Sequence, residues 1–339
     1  MSLAHLALVF NAFIWGVSWL PYKWLESQGL SILWATALAY ILATAALALA
    51  RPKAFAIVLG IGAMRATNSQ PFEGGRAGLS LAQGLWVMGL FYGLTNTCFN
   101  WALALGDVVR VVLLFYLMPV WSAIFARLIL KERLSGEGLA RLVLALAGAV
   151  VVLGWDGLQI RDAAQVNSPQ SSISFWGKQL LADLLSIAGG LFFGLANVYL
   201  RKFESATAYE RTLTMYLGSG VVPLGVLGLM ALINLVVFQN SMQFPSLSSP
   251  LQAAPQAWFV VPLLALGLGL ANYSLQYGGS RLATQVTSLI MLSEILFAAV
   301  SAAWFAGKIL TTAEWIGGGM IVLAAIWASL RPPSAPKTT

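Results

Sequence analysis

The sequence predicts an all-α polytopic membrane protein of ten transmembrane helices, arranged as two inverted five-helix repeats. Three observations carry that expectation. Of the 339 residues, 59% are hydrophobic and only 9% are charged, whereas soluble domains carry roughly a quarter charged residues. The apolar residues come in long unbroken runs; a β-barrel would show short alternating segments. The second half of the chain also repeats the order of features in the first.

A hydrophobic span needs about 20 residues. The runs place helices at 3–24, 31–50, 80–104, 107–130, 137–155, 179–201, 208–238, 256–278, 281–305 and 311–330. Arg51-Pro52-Lys53 stops the second, and Arg331-Pro332-Pro333 stops the last. Segment 51–79 reads as a surface loop with a short interfacial helix. Loops 156–178 and 239–257 are rich in Ser, Gln and Pro. With the N-terminus in the cytoplasm, most Lys and Arg fall inside, among them Arg51, Lys53, Arg127, Lys131, Arg133, Arg141, Arg201, Lys202, Arg211 and Arg281. Lys23, Arg161, Lys178 and Lys308 fall outside. That bias is the one membrane insertion selects, and an even helix count returns the C-terminus to the cytoplasm.

The same bias accounts for the net charge of +7 without a nucleic-acid partner. The one cysteine, Cys98, excludes an internal disulfide and a cysteine metal cluster. The one histidine, His5, stands at the very start; a Ser-His-Asp or Cys-His pair would have to use it, which argues against hydrolase chemistry. No phosphate-binding loop motif for ATP occurs. The first apolar run lacks preceding Lys or Arg and reads as a retained helix, not a signal peptide.

The repeat is visible in 114–148, LFYLMPVWSAIFARLILKERLSGEGLARLVLALAG, against 290 onward, IMLSEILFAAVSAAWFAGKILTTAEWIGGGMIVLAA. Asn100-Trp101 is echoed by Asn272-Tyr273, and Trp15-Gly16 by Phe193-Gly194. Five helices per half is odd, so the second copy enters the membrane inverted. Inverted repeats are a transporter architecture with the solute site near the midplane between them. The expected units are 1–156, an extracytoplasmic linker 157–178, a second repeat 179–331 and a cytoplasmic tail 332–339. Ile295 stands where the first repeat has Pro119 and Lys308 where it has Glu132, so the halves are not expected to bend alike.

Trp15-Gly16, Leu-x-x-x-Pro-Val ending at Val120, Lys131 to Ser135 and the Gly-rich fifth helix, doubled after about 170 residues, resemble the EamA family of the drug/metabolite transporter superfamily. The pattern is most similar to its bacterial aromatic amino-acid exporters. The resemblance implies a bacterial inner-membrane transporter, functional as a monomer, that exports amino acids, aromatic ones included.

Helical periodicity marks candidate solute-binding residues. Asn11, Trp15, Ser18 and Tyr22 share a face of the first helix. Tyr92, Asn96 and Asn100 share one in the third, and Ser186, Gly190, Phe193 and Asn197 one in the sixth. Asn272 and Gln276 do so in the eighth. Thr284, Thr287, Ser288 and Met291 lead to Glu294 in the ninth. Trp101, Tyr116 and Tyr273 add rings inside the spans. Together these outline a polar, aromatic and nearly neutral cavity for a small amphipathic solute. The competing reading is helix packing, in which buried amides bond between helices. Trp19, Tyr22 and Trp24 read as interfacial anchors, and Asp183 is expected to reach the outer surface. Glu294 reads either as a protonated acid donating to a neighbour, or as a contact for a substrate amine or a proton. A secondary transporter without cofactor is the leading function. A membrane-embedded enzyme and a structural or assembly protein are the alternatives; the enzyme lacks a cluster of ionisable groups at one depth.

Overall fold

The computed structural model describes residues 2–52, 55, 81–129, 131, 136–163, 169–202, 206–237, 247–279, 281–282, 290–291, 293–307 and 309–330. Its helices are α1 (Leu3–Val17), α2 (Trp19–Ser27), α3 (Ile32–Ala50), α4 (Leu81–Leu105), α5 (Val108–Phe115) and α6 (Met118–Ile129). They continue with α7 (Gly136–Ala163), α8 (Pro169–Lys202), α9 (Ala208–Val236), α10 (Ala257–Gly279), α11 (Ser293–Ala306) and α12 (Thr312–Leu330). No strand occurs among the described residues. By length and composition, six stretches among the described residues qualify as membrane-crossing: Leu3–Ser27, Ile32–Ala50, Val108–Ile129, Gly177–Leu200, Ala208–Val236 and Ala257–Leu275.

Each of the ten expected helices coincides with a helical segment, but two are broken. The first divides into α1 and α2 at Ser18, and the fourth into α5 and α6 at Tyr116 and Leu117. A proline has no N–H and cannot bond the carbonyl four residues back. Pro21 and Pro119 release the carbonyls of Val17 and Phe115, and α1 and α5 end at those residues. Pro223 sits inside α9 and likewise withholds a donor from Ser219. The start of the expected ninth helix, 281–292, and the expected loop 51–79 lie largely outside the described residues.

Packing sets the layout. α4 lies against α8 and α9, α1 against α10 and α11, α7 against α12, and α3 against α9 and α10; α5 meets both α8 and α11. Glycines permit the closest approaches, as small residues do between membrane helices. A Cβ on Gly93 of α4 would run into the Gly218 carbonyl of α9. One on Gly190 would come within 2.7 Å of the Phe115 carbonyl. Gly29 turns the chain between α2 and α3 at a φ of +86°, where the neighbouring Gln28 carbonyl accepts from the Ala254 N–H at 2.9 Å. Two apolar cores result. One gathers residues of α4, α5, α7, α11 and α12, the other residues of α3, α4, α9 and α10. Trp15 and Phe193 pack against both.

Candidate functional site

A buried polar seam lies where α3, α4, α9 and α10 meet. The Tyr40 hydroxyl donates to Asn96 Oδ1 at 3.1 Å. Asn96 Nδ2 donates to Ser219 Oγ at 2.7 Å and to the Tyr92 carbonyl at 3.0 Å. Asn272, buried on α10, donates from its Nδ2 to the Leu268 carbonyl at 2.9 Å. Tyr216 lies against Tyr40, with ring centroids 5.8 Å apart, and its hydroxyl donates to the Gly269 carbonyl at 2.8 Å. One turn on, Asn100 Nδ2 donates to the Tyr22 hydroxyl at 2.9 Å and to Thr36 Oγ1 at 3.2 Å. On the other side of α10, Asn11 Nδ2 donates to the Ala271 carbonyl at 2.7 Å. The Oδ1 atoms of Asn11 and Asn100 are buried and have no hydrogen-bond partner.

Rings connect this seam to a second polar point. Tyr92 meets Phe193 edge-on at 6.1 Å, Phe193 meets Phe115 at 5.8 Å, Phe115 meets Phe99 at 4.5 Å, and Phe99 meets Trp15 at 6.3 Å. Phe115 is followed by Tyr116, whose hydroxyl lies 2.8 Å from the Met291 carbonyl oxygen and 3.0 Å from Glu294 Oε2. Glu294 is buried on α11. Gly16 gives it room: a Cβ there would stand 2.8 Å from the Glu294 carbonyl.

Most of the sequence-predicted residues fall into these two groups. Asn96, Asn100, Asn272 and Tyr92 belong to the seam, Tyr116 and Glu294 to the second point, and Trp15 to the ring chain between them. Trp101 and Asn197 are half-buried, and Trp101 packs against the second core. Tyr273 is a correction. It is 62% exposed, because a residue next to Asn272 on a helix points about 100° away from it. Ser288 and the side chain of Gln276 lie outside the described residues. The seam side chains are packed on one another in this conformation. Two grooves of about 590 and 280 Å³ lie elsewhere, between α7 and α12 and between α1, α2 and α10.

Two further expectations are corrected. Trp19 and Tyr22 are not surface anchors but buried, at 4% and 0% exposure, because α2 is covered by α3 and α4. Asp183 does not reach the surface. It is 3% exposed and binds Arg110 at two points. Tyr40, Ser219, Phe99 and Phe115 were not among the sequence candidates. Tyr40 carried a signal, as a hydroxyl in the middle of an otherwise apolar run; the phenylalanines carried none, being ordinary core residues by type.

Membrane-length apolar helices wrapped around a buried polar seam define a polytopic helical membrane protein. Within it, residues 2–154 match the EamA-like transporter family. A solved structure described only as the crystal structure of a protein aligns over 96% of this chain and 97% of its own, with a TM-score of 0.51. At 20% identity that likeness speaks for the fold alone. No curated protein matches the chain significantly.

Proposed function

We propose that the chain is a secondary transporter of the EamA family. It exports small amphipathic metabolites, amino acids including aromatic ones, by rocking two inverted halves against each other. The observation that carries this reading is the seam: uncharged hydrogen-bonding groups, buried at 0–7% exposure, contributed by helices of both halves and flanked by aromatic rings. An amino acid offers donors, acceptors and an apolar body to such a surface. The unpartnered Oδ1 atoms of Asn11 and Asn100 suit a solute ammonium, which has donors only.

The packing pattern supports two equivalent halves, 1–156 and 179–331. Exchanging them maps the α4–α8 contact onto α10–α1, α5–α8 onto α11–α1, and α4–α9 onto α10–α3. The α3–α9 and α7–α12 contacts map onto themselves. Charge bias and family likeness favour a bacterial inner membrane, cytoplasmic termini and a monomer as the working unit. Counterflow of labelled amino acids in proteoliposomes, with a panel of unlabelled competitors, tests the reading and ranks the solutes. Exchange of none of them by folded protein overturns it.

A further inference from the structure

The protons between Tyr116 and Glu294 can be counted. The Tyr116 hydroxyl has the Met291 carbonyl oxygen at 2.8 Å and Glu294 Oε2 at 3.0 Å. A tyrosine hydroxyl has one proton to donate, and a backbone carbonyl has none. An ionised carboxylate also has none, so two acceptor oxygens would compete for one proton in a site closed to water. Tyr116 is 2% exposed and Glu294 6%. A protonated carboxyl removes the conflict: it donates to the Tyr116 hydroxyl, which donates to the Met291 carbonyl.

Among the described residues, no charge pairs with an ionised Glu294 instead. α11 packs against α1 and α5, and Trp19 of α2 donates to Ser301 of α11 at 2.9 Å. The charged and histidine groups of those helices are His5, Lys23, Glu26 and Arg110. His5 bonds to Ser2 at the far end of α1, and Arg110 is held by Asp183. Lys23 lies over the Trp19 ring, and Glu26 interacts with Lys23 and Lys178. Residues 282–292 contain no titratable side chain. The contact is also placed to move. It joins the break between α5 and α6, in the first half, to α11 of the second, at the point where Pro119 interrupts the fourth span.

We propose that Glu294, partnered by Tyr116, is a proton-binding site that couples solute movement to a proton. The proposal rests on the transporter reading above. Glu294 takes one proton from the aqueous side it faces, becomes neutral and lets α5 close on α11. When the protein opens to the opposite side and water reaches Glu294 from there, the same proton leaves to that side. No other bond changes, and an ionised carboxylate does not reseal a contact made only of acceptors.

Infrared difference spectra of the full-length protein in liposomes test the proton directly. Wild type minus Glu294→Gln should show a protonated-carboxyl C=O band at neutral pH, shifted in frequency in Tyr116→Phe and replaced by carboxylate bands as pH rises. A spectrum showing only carboxylate at neutral pH overturns the assignment. Glu294→Gln retains a donor toward Tyr116 and so keeps the closed contact. The same vesicles, loaded with a pH-sensitive dye, report coupling during net downhill movement of phenylalanine. Wild type should move protons with the amino acid, and Glu294→Gln should lose the pH change. Net wild-type movement of phenylalanine without a pH change overturns the coupling and leaves the transport reading intact. No exchange at all overturns the transport reading and the coupling with it, while the infrared band still decides the state of Glu294.

Discussion

Arg110 and Asp183 form a buried two-point ion pair, Nε to Oδ1 at 2.8 Å and Nη2 to Oδ2 at 2.7 Å. Remaining donors are also used. Arg110 Nη1 donates to the Val152 carbonyl at 3.0 Å, and Gln179 Nε2 donates to Asp183 Oδ1 at 2.9 Å. The Asp107 N–H in turn donates to Gln179 Oε1 at 3.1 Å. This network joins α5, α7 and α8, the last of which begins at Pro169, inside the expected linker 157–178.

Removing one partner leaves the other charge buried and alone. Asp183→Ala should therefore cost about 3–5 kcal/mol, seen as an early unfolding transition in detergent. Replacing both residues, as Arg110→Met with Asp183→Leu, should recover most of the loss. Equal stability of Asp183→Ala and wild type would mean the pair does not hold these helices together.

Asn96 is the junction of the seam, bonded to Tyr40 on α3 and Ser219 on α9. Asn96→Leu strands both hydroxyls, and interhelical bonds in membranes are worth about 0.6–2 kcal/mol. The variant should lose about that much stability and most of its solute exchange. Loss of stability with exchange unchanged would assign Asn96 to packing alone.

How far the sequence reached follows from which interactions are local. Hydropathy located the spans because apolar length is a property of one segment. Helical spacing found Asn96 and Asn100 on one face of α4 for the same reason. Their partners Tyr22, Tyr40 and Ser219 come from other helices, and no spacing rule within α4 points to them. Asp183 looked like a surface group because Arg110, 73 residues earlier, is opposite it only in the fold. Tyr273, expected from the echo of Asn100-Trp101, is next to Asn272 in sequence, which on a helix means a different face. The breaks at Val17 and Phe115 were legible from Pro21 and Pro119 by the rule that a proline frees the carbonyl four residues back.

Gly93 faces the Gly218 carbonyl across the α4–α9 contact. Gly93→Ala should push the two helices apart and destabilise by about 1–3 kcal/mol. Gly225, which has nothing within 4 Å of a Cβ, should accept alanine with no loss. Thermal unfolding of the two variants side by side checks the contrast, and equal behaviour would contradict the close approach.

Tyr273 points outward at 62% exposure, while its neighbour Asn272 is at 2%. Tyr273→Ala should leave solute exchange at wild-type rates, and Asn272→Ala should reduce it. Strong loss in Tyr273→Ala would place the solute path on the other face of α10.

The central claim is that solute passes through the seam shared by the two halves. Its most direct measurement is binding of labelled phenylalanine and other labelled amino acids to purified protein, followed by cysteine protection. With Cys98 replaced by serine, Ser219→Cys on α9 should react with a small water-borne thiol reagent during transport, and a bound amino acid should slow that reaction. A reaction rate at Ser219→Cys that no transported amino acid alters would contradict the claim.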